Sequence, residues 1–299
     1  MTIVRLQPKK GWSYMDGRNF QQLLRNQWAR GNFVCVGLDS ELTKIPESVR
    51  RCAGINGTEI TNTIYAFNSE IIKATKDLVC AYKPNIAFYE AYGTYGISAL
   101  LRTINFVNFV APEVPVILDA KRADIGNSNG AYARAVFDTL GADAITVNPY
   151  FGEEALEPFL TRIDKGIFVL CRTSNPGAEE FQDLSVNGEP LYYFISRSVA
   201  NKWNKNGNCA LVVGATHTDE LYEIRKLVGE MPILVPGIGA QGGNLEKTIC
   251  AGMDNNRQGL IINSSSGIIF ASSGIDFAQA ARHETEKLHN LINSYIKEG

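Results

Sequence analysis

Short apolar runs alternate with amphipathic stretches along almost the whole chain. The runs are rich in β-branched residues and end at polar or glycine residues, which is typical of buried strands. Eight of them are predicted to be strands, at residues 33–38, 78–82, 114–118, 144–147, 167–170, 210–213, 233–235 and 260–262.

Between these runs the apolar residues recur every three or four positions, which is the spacing of one buried helix face. Helices are predicted at residues 58–75, 131–140, 153–162, 191–203, 219–228 and 245–251. Two more helices are predicted at the ends of the chain. The first covers 16–30, with Asp16 as its N-cap and Gly31 after its last residue, and the second covers 277–296.

Eight units of a strand followed by a helix predict an α/β fold, the (β/α)8 or TIM barrel. We expect a single domain over residues 1–299, with the barrel at about 33–275 and extra N- and C-terminal helices. The alternative is an open doubly wound sheet. Such a sheet normally has fewer strands and a glycine fingerprint after the first one, and the sequence has neither feature.

Composition narrows the class of protein. Hydrophobic residues make up 45% and charged residues 20% of the 299 positions, as in a soluble globular enzyme, and the net charge of −2 gives no electrostatic reason to expect nucleic acid or an anionic membrane as a partner. No apolar run is long enough to span a membrane, and the first residues lack the pattern of a signal peptide, so a cytoplasmic location is predicted. Six scattered cysteines and three histidines argue against disulfides, a zinc site and a histidine-based triad.

Three charged residues of alternating sign, Asp119, Lys121 and Asp124, stand at the carboxyl end of the third predicted strand, in the sequence D-A-K-R-A-D. Because side chains alternate along a strand, Asp119 and Lys121 are predicted to point to the same side, with Asp124 in the turn that follows. Charges of alternating sign are costly in a core and typical of a functional site. A solvated strand end is the alternative interpretation.

The carboxyl ends of the strands form the face on which TIM barrels carry their active sites. The polar groups expected there are Asp39, Lys83, Asp119, Lys121, Asn148, Arg172, Thr173, Ser174, the loop G-I-G-A-Q-G-G at 237–243 and the loop N-S-S-S-G at 263–267. The two loops follow strands seven and eight, where barrels commonly hold a phosphate with backbone N–H groups. Taken alone, the first loop could also be an ordinary tight turn. Residues 173–188, after strand five, are long enough to act as a lid.

In combination, these motifs resemble the orotidine 5′-monophosphate decarboxylase family. The resemblance rests on Lys83, on D-x-K-x-x-D at Asp119, Lys121 and Asp124, and on P-G-I-G-A-Q-G-G at 236–243. It extends from V-G-L-D at 36–39 to I-I-N-S-S-S-G-I at 261–268. The segments Y-K-P-N, V-N-P-Y-F-G and C-R-T-S-N-P-G-A, at 82–85, 147–152 and 171–178, are similar to the longer, second class of this family.

The resemblance implies decarboxylation of orotidine 5′-monophosphate (OMP) to UMP, the last step of de novo pyrimidine biosynthesis, by a homodimer without a metal or an organic cofactor. Lys121 is expected to protonate C6 of the pyrimidine, Asp119 to lie against the substrate carboxylate, and Lys83 and Asp124 to complete a Lys-Asp-Lys-Asp row. The other expected contacts are Asp39, Lys83 and Asn85 at the ribose, Ser174 at the pyrimidine, Gln241, Gly242, Gly243, Ser266 and Gly267 at the phosphate, and Asp124, Ile125 and Ser128 in the site of the other subunit.

These charges also have a physical rationale of their own. A carboxylate beside the substrate carboxylate raises the energy of the bound ground state, and an adjacent ammonium stabilises negative charge that develops at carbon. Opposite charges on either side keep Asp119 ionised and Lys121 protonated.

One position departs from the family pattern, because Ser266 stands where an arginine normally clasps the phosphate. Two other arginines are candidates for the same role. Arg257 precedes strand eight and is expected at the amino end of the barrel, the wrong face, and Arg172 is expected to point toward the lid.

Two other functions stay open at this point. A magnesium-dependent sugar-phosphate decarboxylase or synthase of the same suprafamily shares D-x-K-x-x-D, but it would need extra carboxylates after strand two, where Pro84 and Asn85 follow Lys83. A non-catalytic nucleotide-binding barrel, with turnover lost through Ser266, would not need the four charged residues, which are all present.

Overall fold

The structure is a computed structural model that describes residues 17–50, 57–238 and 244–298. Within these ranges eight parallel strands form the centre of the molecule. They are β1 (Val34–Gly37), β2 (Val79–Lys83), β3 (Ile117–Arg122), β4 (Ala144–Val147), β5 (Gly166–Arg172), β6 (Cys209–Val213), β7 (Ile233–Pro236) and β8 (Leu260–Ser264). No helix in the described ranges is long and apolar enough to cross a membrane.

The strands form one nearly closed barrel. Hydrogen-bonded neighbours follow the order β2–β1–β8–β7–β6–β5–β4–β3. At the seam, single parallel bridges join Tyr82 to Val116 and Asn85 to Asp119, and so bring β2 next to β3. Most strand residues are fully buried, because side chains fill the interior and helices cover the outside. The predicted (β/α)8 barrel is therefore confirmed.

Helices follow the strands and cover the barrel. They are α1 (Phe20–Ala29), α2 (Glu47–Arg50), α3 (Gly57–Thr75), α4 (Ala87–Glu90), α5 (Gly93–Val110), α6 (Gly126–Ala133), α7 (Gly152–Leu160), α8 (Glu179–Gln182), α9 (Leu191–Ser198), α10 (Thr218–Val228), α11 (Leu245–Gly252), α12 (Ser266–Ile269) and α13 (Phe277–Glu298). The π-helical segments Arg134–Thr139 and Val199–Trp203 extend α6 and α9. A short antiparallel ribbon, Ser185–Val186 with Glu189–Pro190, follows α8 in the predicted lid region.

Helices α4 and α5 fill a stretch for which the sequence analysis names no helix. Glycines in the first turn of α5 and β-branched residues further along it weaken the helical signal. Packing against α3 and α4 compensates for this weak propensity. At Gly96 of α5 the approach is so close that a Cβ atom would stand 1.9 Å from the carbonyl oxygen of Tyr89 in α4.

The N-terminal helix begins later than predicted. Its N-cap is Asn19, whose Oδ1 accepts a hydrogen bond of 3.0 Å from the backbone N–H of Gln22. Asp16, the predicted N-cap, lies outside the described residues. The predicted end is confirmed, since Gly31 follows the helix with a φ of +78°, a backbone conformation that glycine adopts without strain.

Helix α1 lies across the amino end of the barrel. The ring of Phe20 packs edge-on against Phe168 of β5, with centroids 5.5 Å apart. The indole N–H of Trp28 donates a 2.8 Å hydrogen bond to the carbonyl of Leu260 at the start of β8. Gly166 leaves room for this packing, because a Cβ there would lie 2.4 Å from the Phe20 ring. The amino end is therefore closed by apolar side chains.

Strand β3 begins and ends later than predicted. Val114 belongs to a turn in which its N–H bonds to the carbonyl of Ala111 at 2.9 Å, and Pro115 has no N–H to donate to a neighbouring strand. The strand runs on through Asp119 and Lys121, which places both charged residues inside it.

Candidate active site

The carboxyl end of β3 departs from regular strand geometry where the charged residues lie. The pairing with β4 shifts between Leu118 and Arg122, so residues 119–121 face the single β4 residue Thr146. Lys121 has a φ of 44°, in the left-handed region that few residues other than glycine adopt. The two charged side chains do point to the same side, as predicted, but a bulge and a left-handed residue bring them together rather than regular alternation.

The carboxylate of Asp119 is the centre of the site. Its Oδ2 lies 3.1 Å from Nζ of Lys83, and its Oδ1 lies 2.6 Å from Nζ of Lys121. Thr146 donates a hydrogen bond of 2.8 Å to the same Oδ1. Burial alone would raise the pKa of Asp119, but the two ammonium groups and the hydroxyl outweigh burial and lower the pKa to about 2. Asp119 is therefore an anion at neutral pH.

Lys83 lies beneath this carboxylate and is only 3% exposed. Its Nζ is also 3.9 Å from Oδ1 of Asp39, at the end of β1. Burial would lower the pKa of Lys83, but the carboxylates of Asp39 and Asp119 outweigh it and raise the pKa above its ordinary value. Cys35 lies close by in the barrel interior, where burial raises the pKa of its thiol to about 12. The thiol is therefore neutral and unsuited to act as a nucleophile.

Thr146 is a site residue that the sequence analysis missed. Besides its bond to Asp119, its Oγ1 accepts hydrogen bonds from the backbone N–H groups of Ala120 at 3.0 Å and Lys121 at 2.9 Å. The only signal in the sequence is one polar residue in the buried strand A-I-T-V. Because threonine is common in strands, that signal does not distinguish a site residue from an ordinary core residue.

Asp124, Ile125 and Ser128 lie on the segment that leads from β3 into α6. Ile125 is 64% exposed, and Ser128 is exposed as well. The Oδ1 atom of Asp124 accepts a hydrogen bond of 2.7 Å from the N–H of Ile125, and the buried Asn129 anchors the segment through the carbonyl of Asp124. In the described part of the chain Asp124 forms no salt bridge, so a single chain brings together Asp39, Lys83, Asp119 and Lys121 but not Asp124.

Two of the predicted substrate contacts lie at the rim of the same site. Asn85 bridges to Asp119 through the backbone, and its side-chain oxygen accepts from the N–H of Ala87 at 3.2 Å. Ser174 lies on the other side, at the start of the lid region. It packs against Gly214 after β6, where a Cβ would come within 2.7 Å of the Ser174 side chain.

Neither arginine considered as a substitute for the missing phosphate contact points toward strands β7 and β8. Arg172 turns to the lid, where its guanidinium is 3.1 Å from the carboxylate of Asp183 and 3.4 Å from Oε1 of Gln182. Arg257 lies at the amino end and donates to the carbonyl of Ile296 in α13 at 3.0 Å. Both expectations are confirmed.

The expected phosphate end is described only in part. Ser266 and Gly267 form the exposed first turn of α12, and Ser265 before them donates a 3.1 Å hydrogen bond to the carbonyl of Gly37 at the end of β1. Gln241, Gly242 and Gly243 lie outside the described residues.

Asn263 lies within β8, whereas the sequence pattern predicts it in the loop that follows the strand. It pairs in register with Cys35 and Pro236 and is buried, and its Oδ1 has no hydrogen-bond partner among the residues that the structure describes.

The chemistry available to this arrangement follows from its charges. One carboxylate is fixed between a buried ammonium, that of Lys83, and a second ammonium, that of Lys121, whose side chain is 49% exposed. A ligand in the barrel mouth can therefore meet a fixed negative charge and a cation able to donate a proton. Among the described residues no group of three or more histidine, cysteine, aspartate or glutamate side chains is arranged to hold a metal ion.

Comparisons with known proteins agree with this chemistry. The sequence pattern of the family described as "Orotidine 5′-phosphate decarboxylase / HUMPS family" matches residues 32–287. The orotidine 5′-phosphate decarboxylase of Thermomicrobium roseum is 46% identical over 284 residues, which cover 94% of this chain and 97% of that protein. The enzyme of the same name from Herpetosiphon aurantiacus is 50% identical over 250 residues, covering 83% and 88%.

Solved structures show the same similarity in three dimensions. The OMP decarboxylase of Leishmania donovani superposes with a TM-score of 0.79 at 34% sequence identity, over 93% of this chain and 98% of that chain. The UMP synthase of the same organism gives a TM-score of 0.81 at 36% identity, over 93% of this chain and 56% of that longer one.

Proposed function

The chain belongs to the orotidine 5′-phosphate decarboxylase family, and from this premise we propose how its residues divide the reaction. The protein decarboxylates OMP to UMP in pyrimidine biosynthesis. The observation that carries the proposal is the buried carboxylate of Asp119, held between the ammonium groups of Lys83 and Lys121.

The reacting carboxylate of OMP is placed beside Asp119, where repulsion between like charges raises the energy of the bound substrate. As the bond between C6 and the carboxylate breaks, the electron pair stays on C6 and neutral carbon dioxide departs, so the repulsion disappears. The ammonium of Lys121 stabilises the negative charge on C6 and then donates a proton to it, which yields UMP. Lys121 regains a proton from solvent, to which its side chain is half exposed.

Lys83 and Asp39 are proposed to bind the ribose together with Asn85. Lys83 also keeps Asp119 ionised, since it is buried against that carboxylate at 3.1 Å. The Oδ1 atom of Asp39 is buried and accepts no hydrogen bond from the described residues, although Nζ of Lys83 lies 3.9 Å away. An unsatisfied carboxylate oxygen at the floor of a polar site is a suitable acceptor for a ribose hydroxyl.

The remaining contacts are proposed from the family pattern and, for the described residues among them, from their position at the mouth. Ser174, at the base of the lid, is assigned to the pyrimidine edge. Backbone N–H groups of the loops after β7 and β8 are assigned to the phosphate, with these residues: Gln241, Gly242, Gly243, Ser266 and Gly267. The exposure of the first turn of α12 at the carboxyl end of the barrel supports the assignment of Ser266 and Gly267.

We also propose that the active form is a homodimer in which Asp124, Ile125 and Ser128 enter the site of the partner subunit. The support is geometric: Ile125 is a large apolar side chain facing outward, and Asp124 forms no salt bridge in the described part of its own chain. The single-domain organisation over 1–299 and the cytoplasmic location stay predictions.

One assay tests the function and separates it from its alternatives. The protein is incubated with OMP and an excess of EDTA, and the loss of the orotate absorbance is followed. We expect full turnover with EDTA present. Turnover that requires added magnesium would indicate a metal-dependent enzyme, and tight UMP binding without any turnover would indicate a non-catalytic nucleotide-binding barrel.

A further inference from the structure

The bulge in β3 brings two backbone N–H groups to one side chain of β4. In a regular parallel pair, the N–H groups of one strand bond to carbonyls of the next. Here residues 119–121 face the single β4 residue Thr146, so the regular ladder is interrupted at the N–H groups of Ala120 and Lys121. Both bond instead to Oγ1 of Thr146, at 3.0 and 2.9 Å. The hydroxyl thus takes the place of a backbone acceptor.

The remaining hydrogen-bonding capacity of this hydroxyl is directed at the catalytic carboxylate. A hydroxyl has one hydrogen to donate and two lone pairs to accept with. Both lone pairs of Thr146 are used by the bulge, so its hydrogen is free for Oδ1 of Asp119, 2.8 Å away. Thr146 is 1% exposed, which leaves little opportunity for water to replace any of the three bonds.

The same oxygen of Asp119 also receives the ammonium of Lys121 at 2.6 Å. The Thr146 hydroxyl therefore contacts Lys121 in two ways. It bonds directly to the Lys121 backbone N–H, and it bonds to the Asp119 carboxylate that binds the Lys121 ammonium. We propose that Thr146 is a positioning residue for the decarboxylation, which fixes the left-handed backbone of Lys121 and the orientation of the Asp119 carboxylate. The inference rests on the roles proposed above for Asp119 and Lys121.

The choice of threonine fits this role. Its β-branch restricts rotation about χ1 in a strand, so the hydroxyl is held in one direction, whereas serine lacks the methyl group that restricts it. Valine has nearly the same shape but has neither a donor nor an acceptor. Thr146→Val therefore removes the three hydrogen bonds and keeps the volume, and Thr146→Ser keeps the bonds and loses the methyl group.

The test compares kcat, KM and UMP affinity in these two variants. For Thr146→Val we expect kcat to fall about a hundredfold, the effect of a displacement of about 1 Å in a catalytic group. KM and the Kd for UMP should stay within about threefold, because UMP lacks the carboxylate that Asp119 faces. For Thr146→Ser we expect at least a tenth of the wild-type kcat. Should the valine variant not fold, Thr146→Ala is measured in its place against the same serine variant.

The matched control is Thr285→Val. Thr285 is also fully buried, but its hydroxyl bonds to the carbonyl of Ala281 within α13, away from the mouth. This variant should keep the wild-type kcat even if its stability falls.

Two results would overturn the proposal: a Thr146→Val kcat within threefold of wild type, or an equal loss in the serine variant, which would indicate packing alone. Full turnover in Lys121→Ala would instead refute the underlying assignment of Lys121.

Discussion

At the scale of a single residue, Lys121 combines an unfavourable backbone conformation with a close charge pair. Its backbone is left-handed, at a cost of about 1–2 kcal/mol for a residue with a Cβ. Its ammonium is drawn toward a carboxylate only two positions earlier in the chain, Asp119. Glycine would adopt this backbone without strain but has no ammonium. Strain that persists at a charged residue in a cleft is typical of a position fixed for chemistry.

Replacement of this residue gives the most direct test of the charge row. Lys121→Ala is expected to lower kcat by at least about 10²–10⁴-fold, the usual contribution of a positioned general acid, while UMP binding stays measurable. Lys226→Ala is the matched control, because Lys226 is an exposed lysine that pairs with Glu223 on α10. Orotate absorbance gives kcat for both variants. Turnover close to wild type in Lys121→Ala would assign the proton to another group.

Ser266 is the second residue whose replacement gives a specific prediction for catalysis. A charge-assisted arginine–phosphate contact commonly contributes about 1.5–3 kcal/mol, whereas serine offers one neutral hydrogen bond. Ser266→Arg is therefore expected to raise kcat/KM for OMP at least about tenfold, with little gain for orotidine, which lacks the phosphate. Ser294→Arg adds the same charge on α13 near the amino end of the barrel and should leave kcat/KM unchanged.

If Ser266→Arg gave no gain, another cation would already hold the phosphate. The alignment of this loop with the family would then have to be redrawn.

At the scale of elements, the amino end of the barrel depends on one buried ion pair. Arg18, just before α1, forms two bonds to Asp143 at the start of β4, Nε to Oδ1 at 2.8 Å and Nη2 to Oδ2 at 2.7 Å. Asp143 is 1% exposed, and among the described residues the only other hydrogen bond to its carboxylate comes from the N–H of Val116 at 2.9 Å. The pair ties the N-terminal helix to β4 and to the chain entering β3.

Breaking this pair should cost stability without affecting catalysis. Arg18→Ala leaves a buried carboxylate without its cation, so we expect a loss of about 3–5 kcal/mol in the free energy of unfolding, measured by urea denaturation, at unchanged kcat. The control is Arg282→Ala, which breaks a similar two-bond pair with Asp77 at the surface. That change should cost less than about 1 kcal/mol. Equal midpoints for the two variants would argue against the buried pair as an anchor.

The sequence predicted the strands well because buried parallel strands are continuous apolar runs, and their ends were visible where Asp39 and Lys83 interrupt those runs. Helix α5 was missed because its stability comes from contact with α3 and α4, which no local pattern records. The bulge at 119–121 could not be predicted either, since it depends on the register of two strands distant in sequence. Thr146 was missed because one threonine in a buried strand does not stand out, and its contacts depend on the same register.

At the scale of the whole molecule, the proposed dimer predicts complementation between inactive chains. Lys121→Ala and Asp124→Asn each remove one member of the charge row, but from different chains if Asp124 serves the neighbouring site. An equal mixture after subunit exchange should regain about a quarter of wild-type activity, because half of the dimers are mixed and each has one intact site. OMP turnover measures the recovery.

A second mixture distinguishes this from any general effect of mixing. Asp119→Asn chains are mixed with Lys121→Ala chains. Asp119 and Lys121 serve a site in their own chain, so every site in a mixed dimer lacks one of the two groups. No recovery of activity is therefore expected. Failure of the first mixture, with exchange confirmed, would mean that each site is built within one chain.

The packing of Phe20 and Trp28 against the amino end of the barrel also limits where substrate and products can enter and leave the site. Because α1 closes the amino end, OMP, carbon dioxide and UMP are all expected to enter and leave at the carboxyl end of the barrel, where the predicted lid region and the first turn of α12 lie. Carbon dioxide has no ribose or phosphate by which the rim can retain it, so it is expected to depart first. UMP has the same ribose, phosphate and pyrimidine groups as OMP and lacks only the carboxylate. It is therefore expected to stay bound longer and to prevent the next OMP from entering until it leaves.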